Sequence, residues 1–159
     1  MKSTIAINAK FNLVPEAIGS VRAEKKGEIL SALADLFARV YKLEASHVLE
    51  CLEEREKLGS TGFGRGVAIP HARIDGINRP VAALLKLENS VEFDSADGMP
   101  VDLVIGLLSP INAGATHLHA LAAISRMVRD DEIHRALIEA SDNETLFALL
   151  TNVTDRDAA

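Results

Sequence analysis

The apolar positions of the chain change period twice, and those changes outline its architecture. From Glu24 to Tyr41 the side chains Ile29, Leu30, Leu33, Leu36, Phe37 and Val40 recur at helical spacing, which predicts a helix with one buried face. A second helix is predicted from Ser46, as N-cap, to Leu58. It turns Val48, Leu49 and Leu52 inward and Glu50, Glu53, Glu54 and Glu56 outward, and Gly59 stops it. The middle of the chain is different. Val67-Ala68-Ile69, Val81 to Leu87 and Val101 to Leu108 are short apolar runs that read as strands. Only Asp102 and Gly106 interrupt the last of these, so it is expected at the centre of a sheet, buried on both faces. Val91 to Phe93 is expected as a short edge strand, and Asp97-Gly98 ahead of Met99-Pro100 as a turn. After Pro110 the helical period returns in three groups: Leu118, Leu121, Ile124 and Val128; then Ile133, Leu137 and Ile138; then Leu146, Phe147 and Leu150. Helices that bracket a strand-rich centre imply an α/β fold with helices packed on a sheet.

Length and composition narrow the class. With 159 residues, 48 % of them hydrophobic and 25 % charged, the chain is expected to form a single domain over residues 1–159 with its own core. The net charge of −6 and the lack of a basic run argue against nucleic acid and anionic membrane surfaces as partners. No apolar run reaches the roughly 18 residues of a membrane span. The first residues also lack the basic-then-apolar order of a secretion signal, so a cytoplasmic location is expected. The lone Cys51 leaves no internal disulfide and no multi-thiolate zinc site. Any chemistry must therefore come from His, Asp, Glu, Ser or Thr.

Five histidines stand at 47, 71, 117, 119 and 134. His47, in the first turn of a helix, and His134, among Asp130, Asp131, Glu132 and Arg135, read as solvated surface residues. His71 follows Val67-Ala68-Ile69-Pro70 at the exit of an apolar segment. Pro70 fixes its own φ and restricts Ile69 to extended geometry, so His71 is presented stiffly, as a nucleophile requires. His117 and His119 resemble a metal pair, but on a helix positions i and i+2 do not face each other. His117 shares the apolar stripe of Leu121, Ile124 and Val128, whereas His119 aligns with Ala122, Ala123 and Arg126. His117 therefore points inward, either as a hydrogen-bonded core histidine or as part of a cleft. Arg55 lies on the stripe of Val48 and Leu52, where it is either paired with an acid or serves as an anion clamp. The Gly59–Gly66 run, GSTGFGRG, matches neither a P-loop nor a dinucleotide fingerprint, and Ser60 and Thr61 read as loop hydrogen bonders. Two histidines and an arginine, beside loop N–H groups and a helix N-terminus near Thr116, make a site for a phosphoryl group.

Three segments in order, REKLGSTGFGRGVAIPHAR, FDSADGMPVDLVIGLLSP and THLHALAAISRMVRD, resemble the IIA family of the bacterial phosphotransferase system, mannitol and fructose type (EIIA type 2). Within it they are most similar to the stand-alone nitrogen-regulatory branch. Ala72 and Arg73 stand where the family often has Gly and Lys. The resemblance implies a mixed β-sheet flanked by helices on both faces in a single IIA domain with no permease attached. It implies that His71 takes a phosphoryl group from a phosphorylated HPr-like carrier (NPr), with His117 as the second active-site histidine and Arg55 as the phosphate-side cation. No cofactor and no metal are implied. The phosphorylation state would then regulate partners such as potassium transporters or sensor kinases. The alternatives are a sugar-specific IIA component that passes phosphate to a permease domain, a His-dependent metal hydrolase, and an interaction domain without chemistry.

Overall fold

In this computed structural model, which describes residues 10–158, six strands form one mixed sheet. They are β1 (Ile18–Val21), β2 (Gly62–Gly64), β3 (Val67–Ala68), β4 (His71–Ile74), β5 (Val81–Val91) and β6 (Val101–Pro110). The spatial order is β1-β5-β6-β3-β2, with β4 also on β6. β5 and β6 pair antiparallel, whereas β1 runs parallel to β5, and β3 and β4 run parallel to β6. β6 is the apolar run expected at the centre, and all of its residues except Asp102 are buried. Neighbours on both edges and helices over both faces leave no room for a solvated side.

Helices α1 (Lys26–Tyr41) and α2 (Ala45–Lys57) cover one face. Helices α3 (Ala115–Val128), α4 (Asp131–Glu139) and α5 (Asn143–Ala158) cover the other. Adjacent residues of β6 show the two sides: Gly106 lies under Leu33 and Phe37 of α1, while Ile105 meets Met127 of α3 and Leu150 of α5 around a small apolar void. The stripe read along α1 is the buried one, with Ile29, Leu33 and Phe37 fully enclosed.

Four details depart from the sequence reading. α2 begins at Ala45, so Ser46 sits inside the first turn, and Glu44 at the cap position makes no side-chain capping bond. Val91 ends β5 instead of opening an edge strand, after a register shift between Lys86 and Val91, and Phe93 is a core side chain with 0 % exposure. β1 and β2 had no apolar signal of their own; each is short and owes its strand form to the neighbour it pairs with. Finally, β3 and β4 keep the same register on β6, Val67↔Leu103 and Ala68↔Val104 before the break, His71↔Leu107 and Ala72↔Leu108 after it. They are one strand interrupted at Ile69-Pro70, so His71 opens a strand instead of following one.

The α1 packing makes a prediction. A Cβ on Gly106 would sit 2.8 Å from both Leu33 Cδ2 and Phe37 Cε2. Gly106→Ala should lower unfolding free energy in urea by about 1–3 kcal/mol, the usual cost of overpacking a core. An unchanged midpoint would contradict this helix–sheet contact.

Candidate functional site

The strand break creates the first feature of the site. Pro70 has no N–H, but its carbonyl still accepts the ladder bond from Leu107 N–H at 3.0 Å. The preceding carbonyl, that of Ile69, turns instead to the His71 ring and lies 2.7 Å from Nδ1. A carbonyl can only accept, so Nδ1 carries the proton and donates it. In the neutral ring Nε2 then bears the lone pair, and Arg55 confirms this from the other side: its Nε–H donates to His71 Nε2 at 3.2 Å. Arg55 is held for that task by a second bond, from Nη1 to the Gly59 carbonyl at 2.8 Å. Burial pushes the His71 pKa below its ordinary value of 6.5; the Ile69 carbonyl opposes this and the Arg55 guanidinium adds to it. The ring is therefore neutral, with its free electron pair beside a cation, at physiological pH.

His117 comes from the first turn of α3. It is 6 % exposed, its ring centroid lies 5.7 Å from that of His71, and its Nδ1 is 2.6 Å from Ser109 Oγ on β6. Burial, then the charges of Arg73 and His71, push its pKa down to about 4. A cleft of about 250 Å³ opens beside His71, lined by Ser60, Thr61, Phe63, Leu121 and Ser125. The structure thus brings together His71, His117 and Arg55. His119 is exposed on α3, away from the buried His117.

Other expectations change. Arg55 is not paired with an acid among the described residues; the inward acid is Glu56, expected outward, whose side chain is 7 % exposed. Glu56 accepts from Thr61 N–H at 2.8 Å, from the Thr61 hydroxyl and from Lys26 Nζ at 2.8 Å, tying the loop after α2 to both helices. The Gly-rich segment is a β-hairpin instead of an open loop. Gly64, Arg65 and Gly66 turn it with positive φ, and its N–H groups are largely taken: Gly62 by Ser60 Oγ, Arg65 by Asp97. The first N–H groups of α3 bond back to Ala113 and Gly114 carbonyls in a tight turn. His134 is not a solvated surface residue, because Nε2 lies 3.3 Å from Asp102 Oδ1 and its side chain is only 15 % exposed. His47, half-exposed near Glu50, fits its surface reading.

Sequence reasoning missed Glu56, Ser109 and the Ile69 carbonyl. Two of these had a signal: Glu56 continues the Val48–Leu52 stripe at i+4, and Ser109 is a polar residue two positions after Leu107 in an apolar strand.

Residues 15–153 match the family described as "Phosphoenolpyruvate-dependent sugar phosphotransferase system, EIIA 2". The chain belongs to this family. A nitrogen regulatory protein from Bradyrhizobium diazoefficiens is 39 % identical over 139 residues, 87 % of this chain and 91 % of the relative. The crystal structure of nitrogen regulatory protein IIA-Ntr from Neisseria meningitidis matches with a TM-score of 0.81 and 36 % identity, covering 87 % of this chain and 95 % of that one. IIA mannitol from Escherichia coli, at 22 % identity, shares the fold with a TM-score of 0.75 over 88 % of this chain and 99 % of its own. The mixed sheet flanked by helices is thus the IIA fold. Among the described residues no helix is long and apolar enough to cross a membrane.

The two neutral histidines of this IIA chain carry a pH signature. The unfolded rings take up protons near pH 6.5 while the folded rings resist, so the unfolded state binds more protons and stability falls as pH drops below 6.5, until His117 itself protonates near 4. Ring titration by NMR should give His117 a midpoint near 4 and His71 one below 6.5. Arg55→Ala should move the His71 midpoint upward. A His117 midpoint above 6.5 would contradict the burial of its ring.

Proposed function

We propose that this IIA-family chain is a nitrogen-regulatory phosphocarrier that accepts a phosphoryl group on His71 Nε2 from a phosphorylated HPr-like carrier (NPr) and binds partner proteins according to its phosphorylation state. The observation that carries the reading is the pair of bonds on the His71 ring: Nδ1–H to the Ile69 carbonyl, and Nε2 accepting from Arg55. A neutral imidazole with one nitrogen tied down and the other unprotonated beside a guanidinium is a phosphoryl acceptor already oriented.

In the transfer, the Nε2 lone pair attacks phosphorus in line with the carrier's own phosphoimidazole. The new P–N bond forms as the carrier's P–N bond breaks, and that electron pair returns to the carrier's ring. His71 keeps its Nδ1 proton, so positive charge develops on the ring as the phosphoryl group arrives. The Ile69 carbonyl meets that charge through a hydrogen bond that strengthens with it. Arg55, freed from Nε2 as the new bond forms, remains in place through Gly59 to face the phosphoryl oxygens. His117, neutral and adjacent, donates to the same oxygens; a charge-assisted bond of this kind contributes about 1.5–3 kcal/mol. No metal is needed for a step that depends on positioning and charge.

The names of the relatives support the regulatory half of the reading, since the Bradyrhizobium and Neisseria proteins are both described as nitrogen regulatory proteins. Phosphorylation adds nearly two negative charges to a chain already at −6, beside the cleft where a partner would dock. Contacts with acidic surfaces weaken and contacts with basic ones strengthen, so potassium transporters or sensor kinases would be sorted by the state of His71. The sugar-specific alternative has in its favour that the family is described as part of a sugar phosphotransferase system. It predicts loss of the phosphoryl group that depends on a sugar and a cognate permease domain, whereas the regulatory reading predicts none.

Incubation with a phosphorylated HPr-type carrier, followed by mass spectrometry, tests the assignment. Wild-type protein should gain one acid-labile phosphoryl group, and His71→Ala none. His117→Ala should reach the same final labelling roughly tenfold or more slowly, because it loses a donor to the phosphoryl oxygens but keeps the acceptor. Full labelling of His71→Ala would sink the proposal.

A further inference from the structure

Ser109 has no part in the chemistry described so far, yet it is placed with unusual definition. It is 0 % exposed, near the end of β6, and its backbone is in register with Arg73 two residues along from His71. Residues 105, 107 and 109 of a strand share a face, and on β6 that is the face covered by α3. Ser109 therefore lies directly beneath the first turn of α3, where its Oγ stands 2.6 Å from His117 Nδ1.

At that distance one of the two groups donates and the other accepts, and burial decides which. His117 is neutral, so one proton sits on one of its two nitrogens. If Nδ1 held it, the Ser109 hydroxyl would accept and its own proton would need another acceptor. Ser109 Oγ has no other hydrogen-bond partner among the described residues, and its enclosure shuts out water. A buried hydroxyl proton with nowhere to go is strongly disfavoured. If instead Ser109 donates to Nδ1, both groups are satisfied and the His117 proton is forced onto Nε2, the only ring nitrogen left to face the site.

We propose that Ser109 is a positioning residue that sets the tautomer of His117: by donating to Nδ1 it keeps a proton on Nε2, where that proton is available to the phosphoryl group on His71. The role complements that of Ile69 at the other ring. A carbonyl acceptor makes His71 an Nδ1–H tautomer with a nucleophilic Nε2, and a hydroxyl donor makes His117 an Nε2–H tautomer with a donating Nε2. Two histidines with rings 5.7 Å apart are thereby given opposite roles by backbone and side-chain partners that touch no substrate. Arg73 acts in the same direction, since its positive charge beside His117 discourages a second proton. This deepens the proposed reaction and rests on it for the phosphoryl acceptor, whereas the tautomer itself is a property of the resting protein.

The test has two arms so that the two ideas can fail separately. In the first, long-range ¹H–¹⁵N NMR of the ¹⁵N-histidine-labelled protein at pH 7 reads the tautomers directly. Wild type should show His117 protonated at Nε2 and His71 at Nδ1, and Ser109→Ala should shift His117 toward a mixture while His71 is unchanged. In the second arm, phosphoryl transfer from phosphorylated HPr-type carrier should slow roughly tenfold in Ser109→Ala, with the final labelling of His71 intact, as expected for a weakened donor to a charged group. In a His117→Gln background, where the amide has no tautomer to set, adding Ser109→Ala should cost no further rate. A merely structural serine would slow both backgrounds alike. An Nδ1–H tautomer at His117 in wild type, or a Ser109→Ala protein with unchanged tautomer and rate, would overturn the proposal. Absence of any labelling of wild type overturns the reaction instead, and the spectrum then decides Ser109 alone.

Discussion

The hydrogen bond from the His71 ring to the Ile69 carbonyl forms where a strand is interrupted in its middle, at Ile69-Pro70, directly before His71. β3 and β4 are a single strand in register, and Pro70 interrupts them without shifting that register. Within the interruption the Pro70 carbonyl keeps its bond to Leu107 on β6, while the Ile69 carbonyl lies 2.7 Å from Nδ1. Because His71 then resumes the strand, its backbone is held by β6 while its ring is held by its own chain two residues back. In the proposed transfer, a nucleophile fixed at both ends would lose little freedom when a donor arrives, which is where most of the advantage of such a site would reside. Arg55, His117 and the cleft are arranged around a ring whose orientation this bond has already decided.

Charge around the ring is sorted with the same economy of parts. The end of α2 presents Arg55 and Glu56 in succession, and the fold sends them to different tasks. Glu56 is consumed by Lys26 and Thr61, which hold the following loop against the helices. Arg55 is thus left with a carbonyl and a ring nitrogen as its partners, and its charge is not neutralised by a carboxylate. An arginine bound to neutral acceptors keeps its electrostatic attraction for an incoming anion, at the cost of lowering the basicity of the ring it touches. In the proposed transfer that cost favours function, because a neutral ring would be the nucleophile. Burial of both histidines works to the same end.

Much of this was legible in the sequence because it depended on period and composition. The α1 stripe, the buried centre of β6 and the inward phase of His117 and Arg55 all follow from side-chain spacing, and the structure places each of them so. What spacing does not carry is pairing. β1 and β2 are strands only because β5 and β3 lie beside them, and Val91 belongs to β5 because β6 is long enough to pair with it across a register shift. His134 reads as a surface residue among charges until Asp102, far along the chain, is found next to it. The Gly-rich segment misled in another way: glycines permit a phosphate cradle and a hairpin turn equally, and only the fate of their N–H groups distinguishes the two. The motif around His71 identified the family, but the reason that His71 is oriented, a carbonyl two residues back, is a backbone feature that no side-chain pattern records.

If the Ile69 bond reserves Nε2 of His71 for phosphorus, the ring nitrogen that becomes phosphorylated will reveal it. Two-dimensional ¹H–¹⁵N and ³¹P NMR of the ¹⁵N-histidine-labelled, phosphorylated protein distinguishes the two isomers by coupling of phosphorus to one nitrogen. A single phosphohistidine is expected at residue 71, with phosphorus coupled to Nε2 and the proton retained on Nδ1. Phosphorus on Nδ1 of His71, which would require the Ile69 hydrogen bond to break, or on any other histidine, would contradict it.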